Sequence, residues 1–127
     1  MKEIIHTDKA PAAIGPYSQA VKVTGGNLVF CSGQIGFDPA TGELAGDTVE
    51  AQCRQVMENL KAVIAAAGGD MSHIVKANIY LADMGDFAAV NEIYASYFTS
   101  DYPARAAVAV KTLPKEVKVE IEAIAAI

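Results

Sequence analysis

Between Val49 and Ala82 the apolar residues change their period, and that change restricts the fold more than any other feature of the chain. Val49, Cys53, Val56, Met57, Leu60, Val63, Ile64 and Ala67 recur at helical intervals, the stripe of a helix that buries one face. Gly68-Gly69 ends it. From Ile74 to Ala82 the period drops to that of a strand, with Val75, Ala77, Ile79 and Leu81 on one face. A helix followed by a strand with one apolar face calls for a layer of helix on sheet.

The rest of the chain extends this pattern. Ile4 to Thr7 reads as an edge strand. Two prolines and a glycine make Ala10 to Tyr17 a stiff loop. Ser18–Val23 and Asn27–Ser32 flank Thr24-Gly25-Gly26 and read as a hairpin. Gly33-Gln34-Ile35-Gly36 suggests a bend with close backbone approach. Asp47 or Thr48 caps the first helix, and Asp47 with Glu50 loosely matches a capping box. A second helix runs from about Asp86 to Phe98, with Phe87, Val90, Tyr94, Tyr97 and Phe98 on one side. Arg105–Thr112 and Val117–Ile124 read as strands. The order β-β-β-α-β-α-β-β gives an α+β fold, two helices covering one face of a mixed sheet, in one domain over residues 1–127. The uncovered face would leave Tyr80, Val108 or Ile124 wet in a monomer, which points to oligomerisation.

Composition excludes more than it assigns. The net charge of −5 and the lack of a Lys/Arg stripe disfavour nucleic acid as a partner. Two cysteines without CxxC spacing and two histidines without a ligand motif imply no metal. With no signal-like N-terminus and no apolar run of about 20 residues, the expected location is the cytoplasm, away from membranes.

Arg105 and Glu120 are two charges set inside adjoining apolar strands, and a charge there must face solvent, a partner or a ligand. Small neighbours, Ala104, Ala106, Ala107 and Ala109, leave room around Arg105. Its guanidinium fork suits a small carboxylate, with Glu120 nearby as acid or base. The plainer readings are a solvated strand charge or an ion pair for Arg105, and a cross-strand pair with Lys118 or Lys111 for Glu120.

Ala10-Pro-Ala-Ala-Ile-Gly-Pro-Tyr-Ser-Gln, Ser32-Gly-Gln-Ile, Asp86-Phe-Ala-Ala-Val-Asn-Glu, Pro103-Ala-Arg-Ala and Val119-Glu-Ile-Glu-Ala-Ile-Ala together resemble the RidA/YjgF family over essentially the whole chain. The resemblance implies a chorismate-mutase-like protomer and a homotrimer with clefts between adjacent subunits. It implies cofactor-free hydrolysis of reactive enamines and imines, such as 2-aminoacrylate, to 2-oxo acids and ammonia. Those intermediates escape from pyridoxal-phosphate-dependent dehydratases, a functional link. Arg105 matches the family's carboxylate-binding arginine and Glu120 the glutamate that holds water. Tyr17, Ser32, Gly33 and Asn91 match cleft residues. Many members carry a cysteine where this chain has Ala107, so no thiol nucleophile stands there, although the Ala107 main-chain N–H remains a possible donor. The alternatives are a non-catalytic module binding 2-oxo acids and, less favoured, a ribonuclease or translation inhibitor.

Overall fold

The computed structural model describes all 127 residues. Strands β1 (Lys2–Ile5) and β2 (Ala20–Val23) form a small antiparallel pair. Strands β3 (Leu28–Ile35), β4 (Ile74–Leu81), β5 (Ala104–Ala109) and β6 (Val119–Ala126) form the main sheet in the order β3-β6-β4-β5. Only the β4–β5 pair is parallel. Helices α1 (Val49–Ala66) and α2 (Phe87–Ala95) lie together on one face of the main sheet. The mixed sheet under two helices is the expected α+β architecture.

The periodic segments form as their patterns dictate. Thr48 caps α1, its side chain accepting from the Ala51 N–H at 3.1 Å. The capping box between Asp47 and Glu50 does not form. Counted from Thr48, the box position is Ala51, which has no side chain to reach back. In β4 and β6 the apolar face is buried residue by residue, and Ile79, Leu81, Val119 and Ile121 share one core cluster with Met57, Leu60 and Ile64 of α1. Each such side chain stabilises the fold by about 1.5–3 kcal/mol. Both cysteines are buried free thiols on this side, and Cys53 is 0% exposed.

Three expectations are corrected. The hairpin across Gly25-Gly26 is absent, because β2 pairs with β1 and β3 pairs with β6. Both glycines have left-handed φ, +74° and +80°, and the turn hands the chain from one sheet to the other. Asn27 then exchanges both backbone hydrogen bonds with Ile127, at 2.8 and 2.9 Å, which fixes β3 against β6. The first strand is Lys2–Ile5, earlier than Ile4–Thr7, because the Gln19 side chain takes the Thr7 backbone N–H and carbonyl. The second helix stops at Ala95, short of Phe98, although Tyr97 and Phe98 still pack on the core.

The face opposite the helices carries Phe30, Tyr80, Val108, Glu120 and Glu122, aligned by their pairing registers. Phe30 is 71% exposed and Val108 47%. No helix is long and apolar enough to cross a membrane.

Candidate functional site

The edge strand β5 positions Arg105 two residues after Pro103, whose carbonyl accepts the Ser18 N–H at 3.1 Å. Ser18 also forms an isolated parallel bridge with Ala104. This anchor brings the stiff loop and Tyr17 against the arginine. Across β4, Arg105 is in register with Ala77, and Ala77 with Ala123, both buried beneath the helices. The Arg105 side chain therefore stands on the helix side of the sheet.

There α2 presents Phe87, Asn91 and Tyr94, one face of the helix at i, i+4 and i+7. Arg105 Nη1 donates to Asn91 Oδ1 at 2.7 Å. The guanidinium carbon lies 5.1 Å from the ring centre of Tyr94 and 5.6 Å from those of Phe87 and Tyr17. Three rings and one amide thus hold the fork, each ring adding a cation–π attraction. No carboxylate pairs with it; the carboxylates that lie within 4 Å of a basic group are Asp8 and Asp70, each beside a histidine. Burial pulls the Arg105 pKa below the ordinary guanidinium value, and Tyr94 and Tyr17 oppose that shift. Burial pushes the Tyr94 hydroxyl well above the ordinary phenol range, partly offset by Arg105. That hydroxyl, on a side chain 1% exposed, has no hydrogen-bond partner.

Glu120 belongs to a second group. It is in register with Tyr80 of β4 and Ile35 of β3, on the open face. In β3 the pairing with β6 jumps from Cys31↔Ala123 to Gln34↔Ile121, one extra residue that forms a bulge containing Ser32 and Gly33. Both are exposed. The Glu120 carboxylate lies over the bare Cα of Gly33, and a Cβ there would be 2.1 Å from Oε2.

The site residues thus fall into two clusters. Arg105, Asn91 and Tyr17 meet on the helix side. Glu120 and Gly33 meet on the open side, with Ser32 in the same bulge. Ala107 follows Arg105 on its own face, opposite Ile79, and packs against the core. The expectation that Glu120 stands near Arg105 is corrected for the single chain. Two strand spacings and three residues separate them, roughly 10 Å in each direction, with the sheet between their side chains. The alternation of side chains along paired strands forces this. None of the three surface cavities, the largest about 620 Å³ between α1 and α2, includes either residue.

The sequence profile of the family described as Endoribonuclease L-PSP matches residues 7–127. A goat (Capra hircus) protein named 2-iminobutanoate/2-iminopropanoate deaminase is 51% identical over 125 residues, 98% of this chain and 90% of the relative. The chain belongs to the RidA/YjgF family. Among solved structures, RidA from the Antarctic bacterium Psychrobacter sp. superposes with a TM-score of 0.77 at 54% identity, over 98% of this chain and 99% of that one. TdcF from E. coli, solved with bound serine, gives 0.76 at 47% identity over 98% of each chain. Phe87 and Tyr94 of this RidA/YjgF chain were legible only as core residues. The signal for their second role was their helical spacing around Asn91.

Proposed function

We propose that the chain hydrolyses 2-imino acids, such as 2-iminopropanoate and 2-iminobutanoate, to 2-oxo acids and ammonia. The working cleft lies between copies in a homotrimer, where Arg105 of one copy meets Glu120 of the next. The observation that carries this reading is the half-buried Arg105 fork, braced by Asn91 and three rings and lacking a counter-ion. A fork held this way accepts a small carboxylate with two charge-assisted bonds, worth about 1.5–3 kcal/mol each. The names of the deaminase relatives support the same chemistry.

With the carboxylate of R–C(=NH)–COO⁻ on Arg105, the imine carbon is fixed beside it. An enamine enters this path after tautomerising to the imine. Glu120 accepts a proton from water as the water oxygen bonds to that carbon, and the C=N electrons move to nitrogen. Glu120 returns the proton to nitrogen, giving a carbinolamine; it then takes the hydroxyl proton and passes it to the same nitrogen as the C–N bond breaks, so ammonia leaves and the C=O forms. The sum is one imine and one water giving one 2-oxo acid and one ammonia. Ala107 offers no thiol, so water is the only nucleophile in this scheme.

A dehydratase that releases 2-aminoacrylate supplies the test. The chain accelerates the decay above its spontaneous rate, and Arg105→Ala abolishes the acceleration with the fold intact. An unchanged decay rate together with calorimetric binding of 2-oxobutyrate would instead favour a non-catalytic 2-oxo-acid module, because the same fork can bind without turnover. RNA cleavage finds no support in the histidines, which each lie beside their own aspartate, His6 at an exposed site and His73 half-buried.

A further inference from the structure

The cleft loop is tied at both ends by adjacent side chains. Gln19 holds the first end. Its Oε1 accepts from the Thr7 N–H at 2.7 Å, and its Nε2 donates to the carbonyls of Thr7, Ala10 and Pro11 at 3.1, 3.3 and 2.6 Å. One amide thereby closes a ring around residues 7–11, using both its acceptor and its donors. Ser18 holds the second end, its N–H bonded to Pro103 and its hydroxyl to Tyr102, immediately before the strand of Arg105. Between the ties the chain turns at Gly15, φ +115°, where the Tyr17 N–H donates to the Gly15 carbonyl at 2.9 Å. Tyr17 has no side-chain hydrogen bond of its own, so its ring is placed by the loop and by its contact with the guanidinium.

We infer that Gln19 is a positioning residue, acting through the loop and Tyr17 to set the aromatic wall against the Arg105 guanidinium. The inference deepens the proposed function and rests on it for its catalytic consequence. The geometric part stands apart from any substrate. Without the clamp, the ring 5.6 Å from the guanidinium carbon loses its fixed place. Arg105 would hold the carboxylate alike in ground and transition state, so a loosened wall raises KM and leaves kcat largely intact.

Two measurements on Gln19→Ala decide the matter. The first is the Arg105 side-chain Nε–H resonance, assigned by its loss in Arg105→Lys and sensitive to the ring current of Tyr17. In Gln19→Ala it moves in the direction that Tyr17→Ala moves it. The second is the 2-aminoacrylate assay, in which KM rises about tenfold, less than the roughly 10²-fold that 1 Å of misplacement can cost. On a Tyr17→Ala background the Gln19 change adds no further loss, as expected of two residues acting as one unit. Thermal unfolding of Gln19→Ala stays near that of the parent chain, separating loss of placement from loss of fold. If the parent chain does not accelerate the decay, the deaminase reading falls and the resonance still decides the clamp. An Arg105 resonance unmoved by Gln19→Ala overturns the inference, as does a double variant whose loss is the product of the two single losses.

Discussion

Arg105 Nη1 and Asn91 Oδ1 are 2.7 Å apart, and this neutral contact is the guanidinium's one hydrogen bond. An amide orients the fork without neutralising it. A carboxylate at position 91 would do both, so Asn91→Asp supplies an internal competitor for the substrate carboxylate. We expect KM for the imine to rise about 10- to 100-fold, with stability unchanged or higher, from the charge-assisted pair so formed. Steady-state kinetics beside thermal unfolding check both halves.

Gly33 leaves the space that the Glu120 carboxylate fills. A methyl there displaces the flexible end of the glutamate while the backbone stays put, since Gly33 is not among the positive-φ glycines. Gly33→Ala should therefore lower kcat by about 10²-fold, within the range for a misplaced acid/base, and leave KM nearly unchanged. An unaltered kcat would argue that Glu120 need not sit where it does.

Because Arg105 and Glu120 stand on opposite faces of one sheet, copies that each lack one of them can complement. Arg105→Ala and Glu120→Ala are each expected to be inactive alone. After joint refolding, about a quarter of the clefts in randomly mixed cyclic assemblies draw both residues intact, and a corresponding share of activity returns. Recovery indistinguishable from zero, in mixtures shown by mass spectrometry to contain both chains, would rule out a shared cleft.

Burial pushes the Cys53 thiol from its ordinary 9.0 up to about 12. The unfolded chain releases that proton first. The stability associated with the neutral buried thiol is thus full below pH 9 and is lost as pH climbs towards 12, a swing of up to about 4 kcal/mol. Tyr97, raised to about 12 by burial and by its 2.6 Å bond to Glu58, acts with the same sign above pH 10. Urea midpoints measured from pH 7 to 11 should fall across this window, and Cys53→Ala should flatten the part between 9 and 10.

The helices and the two central strands were legible because each repeats one period long enough to show which face is buried. The stripe from Val49 and the alternation from Ile74 leave little choice. Pairing was less legible. Gly25-Gly26 carries every local sign of a hairpin, but the partner of β3 is chosen by β6, far away in the chain. Arg105 and Asn91 could be named from the sequence, while the strand order that puts Glu120 on the other face could not. That order depends on β6 inserting between β3 and β4, a long-range choice with no local signature. The β3 bulge was visible only as a bend at Gly33.

The thiols of this chain are kept out of reach, with Cys31 and Cys53 beneath the helices and an alanine at position 107. For the proposed substrate this has a chemical value. 2-Aminoacrylate is an electrophile as well as a hydrolysis substrate, and an accessible thiolate is the protein group it would alkylate most readily. A scavenger that presents no soft nucleophile at its own cleft resists being poisoned by the molecule it removes.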